Sequence, residues 1–295
     1  PIFYFPKFFH PDPSVERRSG LLQPRLNNSN VLGSSIHMPY FHVISENKDL
    51  TFKPTIFDNR IYMLQNEYRQ ENKNSSLIAD FSLTRGYKSS SSNKKNSISH
   101  LFAEFNSKLN FENFSKSDLY LSLQKVSNDT YLKVFDSNLL ESYLKPNDPN
   151  NLTSELKLTL DHKNYDLFAG LQSFENLGLS NNDRFEYILP YYDFNRNFNL
   201  DFIEGHLNFK SSGSNNLNNT NKLKTRIIND LEYSSEKIIS NIGFVSKFNV
   251  YLKNLGTLGK NDSTYKSSPQ VELMSLYEFT SNFPLRKNTE NYNNT

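Results

Sequence analysis

The chain has 295 residues, enough for one large β domain or two ordinary ones, and its 33 basic and 31 acidic side chains nearly cancel to a formal charge of +2. That balance excludes the one-sided basic field of a nucleic-acid binder, and the lack of cysteine excludes disulfides and thiolate metal sites from this stretch. Hydrophobic residues reach only 36%, yet aromatics reach 14%, with 24 Phe, 17 Tyr and no Trp. Such a mixture suits strands that bury one face and wet the other. No apolar stretch approaches the roughly 18 residues that a membrane-spanning helix needs, so a membrane reading requires a closed β-barrel. A start at Pro1, with neither Met nor a signal peptide, reads as a true N-terminus lying upstream.

In chain order, Pro1 to Pro13 interleaves four prolines with aromatics, and Glu16-Arg17-Arg18-Ser19-Gly20 makes a charged turn ahead of a new strand. Ile36 to Phe41 and Leu50 to Ile56 are the next strand candidates, each carrying a proline. Clearer alternation follows in Asp118 to Gln124, in Ser154 to Asp161 and in Phe248 to Lys253. In the second of these, Leu156, Leu158 and Leu160 face one way, while Glu155, Lys157 and Asp161 face a wet interior. Clusters of Asn, Asp, Ser and Gly separate the strands, notably at 45–49, 58–59, 89–96, 146–151, 211–221 and 259–263. Between them we count roughly twelve or thirteen strands, many near the ten-residue length of a tilted membrane strand. The last runs from about Gln270 to Phe283, and an ending on Tyr-Asn-Asn-Thr reads as a cut rather than a closing strand. Alternation alone leaves a soluble sandwich open, because its outer faces are wet too.

Five motifs in order narrow the choice: Tyr4-Phe5-Pro6, Glu16 to Leu22, Pro39-Tyr40-Phe41, Leu50 to Pro54 and Asn66-Glu67-Tyr68-Arg69. Weaker echoes continue at Asp129 to Leu132 and Arg184 to Pro190. The set resembles the LptD family of LPS-assembly outer-membrane proteins, also called organic solvent tolerance proteins. The resemblance implies an all-β chain: the end of a periplasmic β-jellyroll and its junction over residues 1–25, then the N-terminal part of a larger antiparallel transmembrane barrel over 26–295. It implies a translocon of the Gram-negative outer membrane that receives lipopolysaccharide and inserts it into the outer leaflet through a lateral gate. Its implied partners are lipopolysaccharide, outer-membrane lipids, an LptE-like lipoprotein plug and a periplasmic bridge protein docking on the jellyroll. No nucleic acid, cofactor or metal is implied. A porin-like or autotransporter barrel, or a glycan-binding sandwich, is the alternative.

Pro39 and Pro54 stand fifteen apart, in what reads as the first and second barrel strands. By residue type alone, each marks a strand end or bulge. With the resemblance they become lateral-gate residues, since a proline leaves a facing carbonyl without its N–H partner. Arg17 and Arg18 carry guanidinium groups able to meet lipid phosphates at the junction, although a solvated turn beside Glu16 is the favoured reading of them, and Gly20 would supply backbone freedom there. The six histidines (His10, His37, His42, His100, His162, His206) show no metal-ligand spacing and read as solvated or lumen-facing. His37 and His42 fall on opposite faces of a regular strand. With no nucleophile elbow, phosphate loop or paired carboxylates, the chain does not read as an enzyme.

Overall fold

The computed structural model describes residues 17–58, 60–88, 95–179, 184–198, 204–219 and 221–285. These are nearly all antiparallel β, and seventeen strands make a large sheet that is not closed. No helix among them is long and apolar enough to cross a membrane. Two compact units result: the described residues up to Ser107 together with Ser122–Leu152, and Lys108–Leu121 together with the described residues from Thr153 onward.

The first unit opens on β1 (Gly20–Leu21) and β2 (Arg25–Ser29), then turns back as β3 (Gly33–His37) and β4 (Tyr40–Ser45). β1 pairs with β4 and β2 with β3, so these four pieces are one hairpin, interrupted at Leu22–Pro24 on one arm and Met38–Pro39 on the other. Each interruption holds a proline, which has no N–H to give the ladder. The tip of the hairpin depends on Gly33 at φ 78°, where a Cβ would run into the Asp58 carboxylate. That carboxylate accepts the Ser34 N–H at 3.0 Å. Both β3 and β4 pair with β5 (Lys48–Phe57), which is followed by β6 (Tyr62–Asn72), β7 (Ser75–Lys88) and β8 (Lys95–Lys108) as successive antiparallel neighbours. Prolines that split the first hairpin into four pieces are one reason why seventeen segments appear where turn clusters suggested twelve or thirteen.

The two faces of this unit are reversed relative to a soluble domain. Along β5, Asp49, Thr51, Lys53 and Thr55 are buried while Ile56 is exposed. On β6 to β8 Gln65, Asp80, Ser82, Thr84 and His100 are buried beside Met63, Ile98 and Phe102, whereas Leu64, Phe81, Leu83 and Leu101 are exposed. The exposed residues register across the sheet, Leu64 with Leu83 and Phe81 with Leu101, so they form one apolar face. A polar inner face and an apolar outer face is the alternation of a transmembrane barrel wall.

The polar face is covered by residues 127–150, which follow β9 (Phe114–Val126) and carry a short helix α1 (Tyr131–Val134) and a 3-10 turn (Asp136–Asn138). Tyr131, Leu132, Phe135 and Leu139 are fully buried. The Phe135 ring lies 6.3 Å from Phe57, 6.0 Å from Tyr87 and 4.9 Å from Tyr131, centroid to centroid. The loop leaves β9 tied to the sheet, where the Ser127 N–H donates to the Ser99 carbonyl, and it closes with a turn in which Asp148 receives the Asn150 N–H at 2.8 Å. That backbone bond holds the Asp148 carboxyl below the usual carboxylate range.

In the second unit, β10 (Asn151–His162), β11 (Tyr165–Asn176), β12 (Phe185–Phe198), β13 (Gly205–Asn218) and β14 (Lys222–Ser235) are long antiparallel strands. A two-residue β15 (Ile238–Ile239), β16 (Val245–Lys260) and β17 (Gln270–Asn282) complete it. Register keeps Asn208, Lys210, Asp230 and Lys253 on one face and Phe209, Leu231 and Leu252 on the other. Pro190 sits where the β12 register shifts between Ile188 and Tyr191, the bulge position that a strand proline tolerates. Rings of Phe114, Tyr165, Phe194 and Phe209 follow one another across the strands at 5.9, 6.0 and 6.3 Å. Such a row resembles the aromatic girdle at a barrel's membrane interface.

Candidate functional site

The broken first hairpin is the unusual feature of the sheet. In an antiparallel ladder, residues of a hydrogen-bonded pair exchange two N–H···O bonds. Leu22 N–H donates to the Pro39 carbonyl at 2.9 Å, and Pro39 has nothing to return. Met38 N–H donates to the Pro54 carbonyl at 3.2 Å, and Pro54 likewise returns nothing. Two successive strand-to-strand seams therefore each lose one bond, at neighbouring heights. Pro39 is buried on the inner face, and Pro54 stands on the outer one opposite Leu64. Within the described residues, Pro39 lies in the second strand run and Pro54 in the third, with the β1–β2 run and its own Pro24 ahead of them.

Below the break the inner face carries a string of alternating charges. Arg17 pairs with Asp49, and its guanidinium lies 5.5 Å from the centre of the Phe41 ring. Asp49, itself buried, also receives Arg69 Nε at 2.8 Å. Lys53 Nζ donates to Glu67 at 2.7 Å. These contacts arise because Asp49 registers with Arg69 and Thr51 with Glu67 across β5 and β6, so period-two alternation brings all the charged groups to one side. Of the junction residues read from sequence, Arg17 is thus engaged with the sheet. Arg18 is exposed, and Gly20 lies in ordinary extended backbone with open space around it, so no special φ requires a glycine there. Tyr4-Phe5-Pro6, His10 and Glu16 lie outside the described residues.

Sequence reasoning missed the buried polar cluster beneath residues 127–150. Ser82 Oγ lies 2.9 Å from His100 Nδ1, and His100 Nε2 lies 3.1 Å from Asp80 Oδ1. The order of contacts mimics a hydrolase triad, yet all three side chains are buried. The Tyr131 hydroxyl occupies the space beside them, 2.5 Å from Ser82 Oγ and 2.8 Å from His100 Nδ1, so no carbonyl could approach the serine. Burial also pushes the Tyr131 hydroxyl up, keeping it protonated as a donor. The cluster is built to hold rather than to react. Its sequence signal was the helical spacing of Tyr131, Leu132, Phe135 and Leu139, standing out from alternating strands. His37 and His42 do fall on opposite faces: His37 Nδ1 lies 2.9 Å from Thr55 Oγ1 inside, and His42 is exposed, with its ring 6.4 Å from that of Tyr40. Among the described residues no group of three or more His, Cys, Asp or Glu is placed to hold a metal.

No family model matches the chain. Curated proteins do. It is 46% identical over 69 residues to the LPS-assembly protein LptD of Polaromonas sp., covering 23% of this chain and 8% of that protein. With LptD of Cupriavidus necator it shares 29% over 180 residues, or 60% of this chain and 20% of the relative. With LptD of Legionella pneumophila it shares 27% over 222 residues, 68% and 26% respectively. The chain is related to LptD. It spans about a quarter or less of these LptD relatives' length. Their name speaks of LPS assembly, and the broken hairpin, the polar inner face and the apolar outer face are the features to set against it.

Proposed function

We propose that this chain forms part of an outer-membrane barrel that takes lipopolysaccharide from the periplasm and releases it sideways into the outer leaflet. Lipopolysaccharide pairs a phosphorylated saccharide with acyl chains, so a route for it must offer water to one end and hydrocarbon to the other. A polar inner wall and an apolar outer wall supply those two media, and a parting seam joins them. What carries the reading is the pair of half-made bonds at Pro39 and Pro54. Each missing N–H···O bond is worth about 1 kcal/mol net in water, and more where hydrocarbon offers no substitute. No bond in the cargo is made or broken, so the task is transport rather than catalysis. An LptE-like lipoprotein in the lumen and a periplasmic bridge protein are the partners this reading requires.

A porin-like reading needs a wall that stays shut, and weak seams do not serve it. A soluble sandwich would bury the apolar strand faces, whereas Leu64, Phe81, Leu83 and Leu101 stand outward. Replacing both Pro39 and Pro54 by Ala restores two N–H donors facing Leu22 and Met38. With the seams tightened, lipopolysaccharide labelled at the cell surface is expected to fall several-fold at unchanged protein level. Unchanged surface labelling would overturn the gate role of these prolines.

A further inference from the structure

We propose that residues 127–150 are an internal strap holding the first hairpin shut, with the Arg25–Glu141 ion pair as its releasable contact. The idea rests on reading that hairpin as the side of an exit. The body of the strap is fixed. Asp80 accepts Gln65 Nε2 at 2.9 and 3.0 Å and the Ser142 hydroxyl, and it faces His100 Nε2 at 3.1 Å. Tyr131 is pinned between Ser82 and His100, and Leu132, Phe135 and Leu139 are fully buried around it. Removing any one of these partners would strand buried polar groups, so this part does not let go in ordinary motion.

The contact with the hairpin differs in kind. Glu141 reaches across to Arg25, the first residue of β2 after the break at Pro24. Both side chains are about half exposed, at 56% for Arg25 and 45% for Glu141. They border a cavity of about 190 Å3 that is also lined by His37, Ser137 and Asn138. A half-exposed ion pair is weak, easily screened and readily exchanged. β2 has little else to hold it: it is five residues long, its run is interrupted at Pro24, and among the described pairings it is bonded only to β3. The strap thus joins a short, singly paired strand to the most firmly built part of the inner face, through a contact that can open without unfolding either.

The test uses the protein at native level in its own membrane, then purified, with Arg25→Glu, Glu141→Arg and the swapped pair carrying both. Neither residue is buried, so folding is not at stake. Amide hydrogen exchange over Leu26–Ser29 reads the hairpin directly. R25E is expected to speed it by roughly tenfold, the change that a 1.4 kcal/mol shift gives, and the swapped pair is expected to restore it. In about 1 M salt, where charges are screened within a few ångströms, R25E and the unaltered protein should converge. Unchanged exchange in R25E, or a swapped pair no better than R25E alone, overturns the strap. Surface lipopolysaccharide, measured in the same strains beside the double proline variant, separates the two ideas. If the proline pair alters export while R25E leaves exchange unchanged, only the strap fails. If exchange responds as expected but no variant alters export, the strap stands and the export reading falls.

Discussion

Replacing Leu101 by arginine is expected to destabilise the membrane-inserted protein by about 2–4 kcal/mol, the cost of a guanidinium near the middle of a barrel's lipid face. Leu101 lies at the centre of β8, pairs with Phe81 and is 44% exposed on the apolar face. In a soluble protein, a side chain so open to solvent would accept arginine within about 0.5 kcal/mol. The two readings of the chain therefore differ several-fold on one substitution. Denaturant unfolding from phosphatidylcholine vesicles measures it. A loss below about 0.5 kcal/mol at Leu101 would mean that this face meets water, and the barrel reading would fall with it.

How much of this was legible beforehand depended on the distance over which each feature is encoded. Alternation is local, so Leu156, Leu158 and Leu160 could be separated from Glu155 without a structure. Glu155 now accepts bonds from Gln172 and the Tyr191 hydroxyl, at 2.7 and 2.8 Å, on the polar side. Prolines too are local signals, and Pro39 and Pro54 were readable as breaks. What they break was not readable, because the partner of Pro39 is Leu22 and that of Pro54 is Met38, fixed only by register. Burial was the least legible property. Asp80 and His100 look like wetted lumen residues in a strand pattern, and only the docking of residues 127–150 makes them a dry cluster. The helical spacing of Tyr131, Leu132, Phe135 and Leu139 marks a break in the strand pattern, but α1 is only four residues long and the spacing does not say what its buried face meets. Arg17 presents the same difficulty, since its partner Asp49 lies 32 residues away.

The second large effect is expected inside that cluster. Phe135→Ala should cost about 3–5 kcal/mol, the range for truncating a fully buried phenylalanine where the surroundings cannot collapse. The surroundings here are poorly able to collapse: Phe57 and Tyr87 project from strands fixed in the sheet, and Tyr131 is held by Ser82 and His100. The loss should be local in character, because the strand ladders of β5 to β8 do not run through Phe135. Residues 127–150 would then spend time undocked while the sheet stays paired. Limited proteolysis is expected to cut within 127–150 in F135A at protease levels that spare the unaltered protein, with strand-protected fragments left whole. Leu140→Ala supplies the contrast on the same loop, since Leu140 is 70% exposed and its removal should change neither stability beyond about 0.5 kcal/mol nor the cutting pattern. Equal behaviour of the two variants would show that the loop is not anchored through its buried aromatic face. The polar cluster around Asp80 would then have to hold it alone.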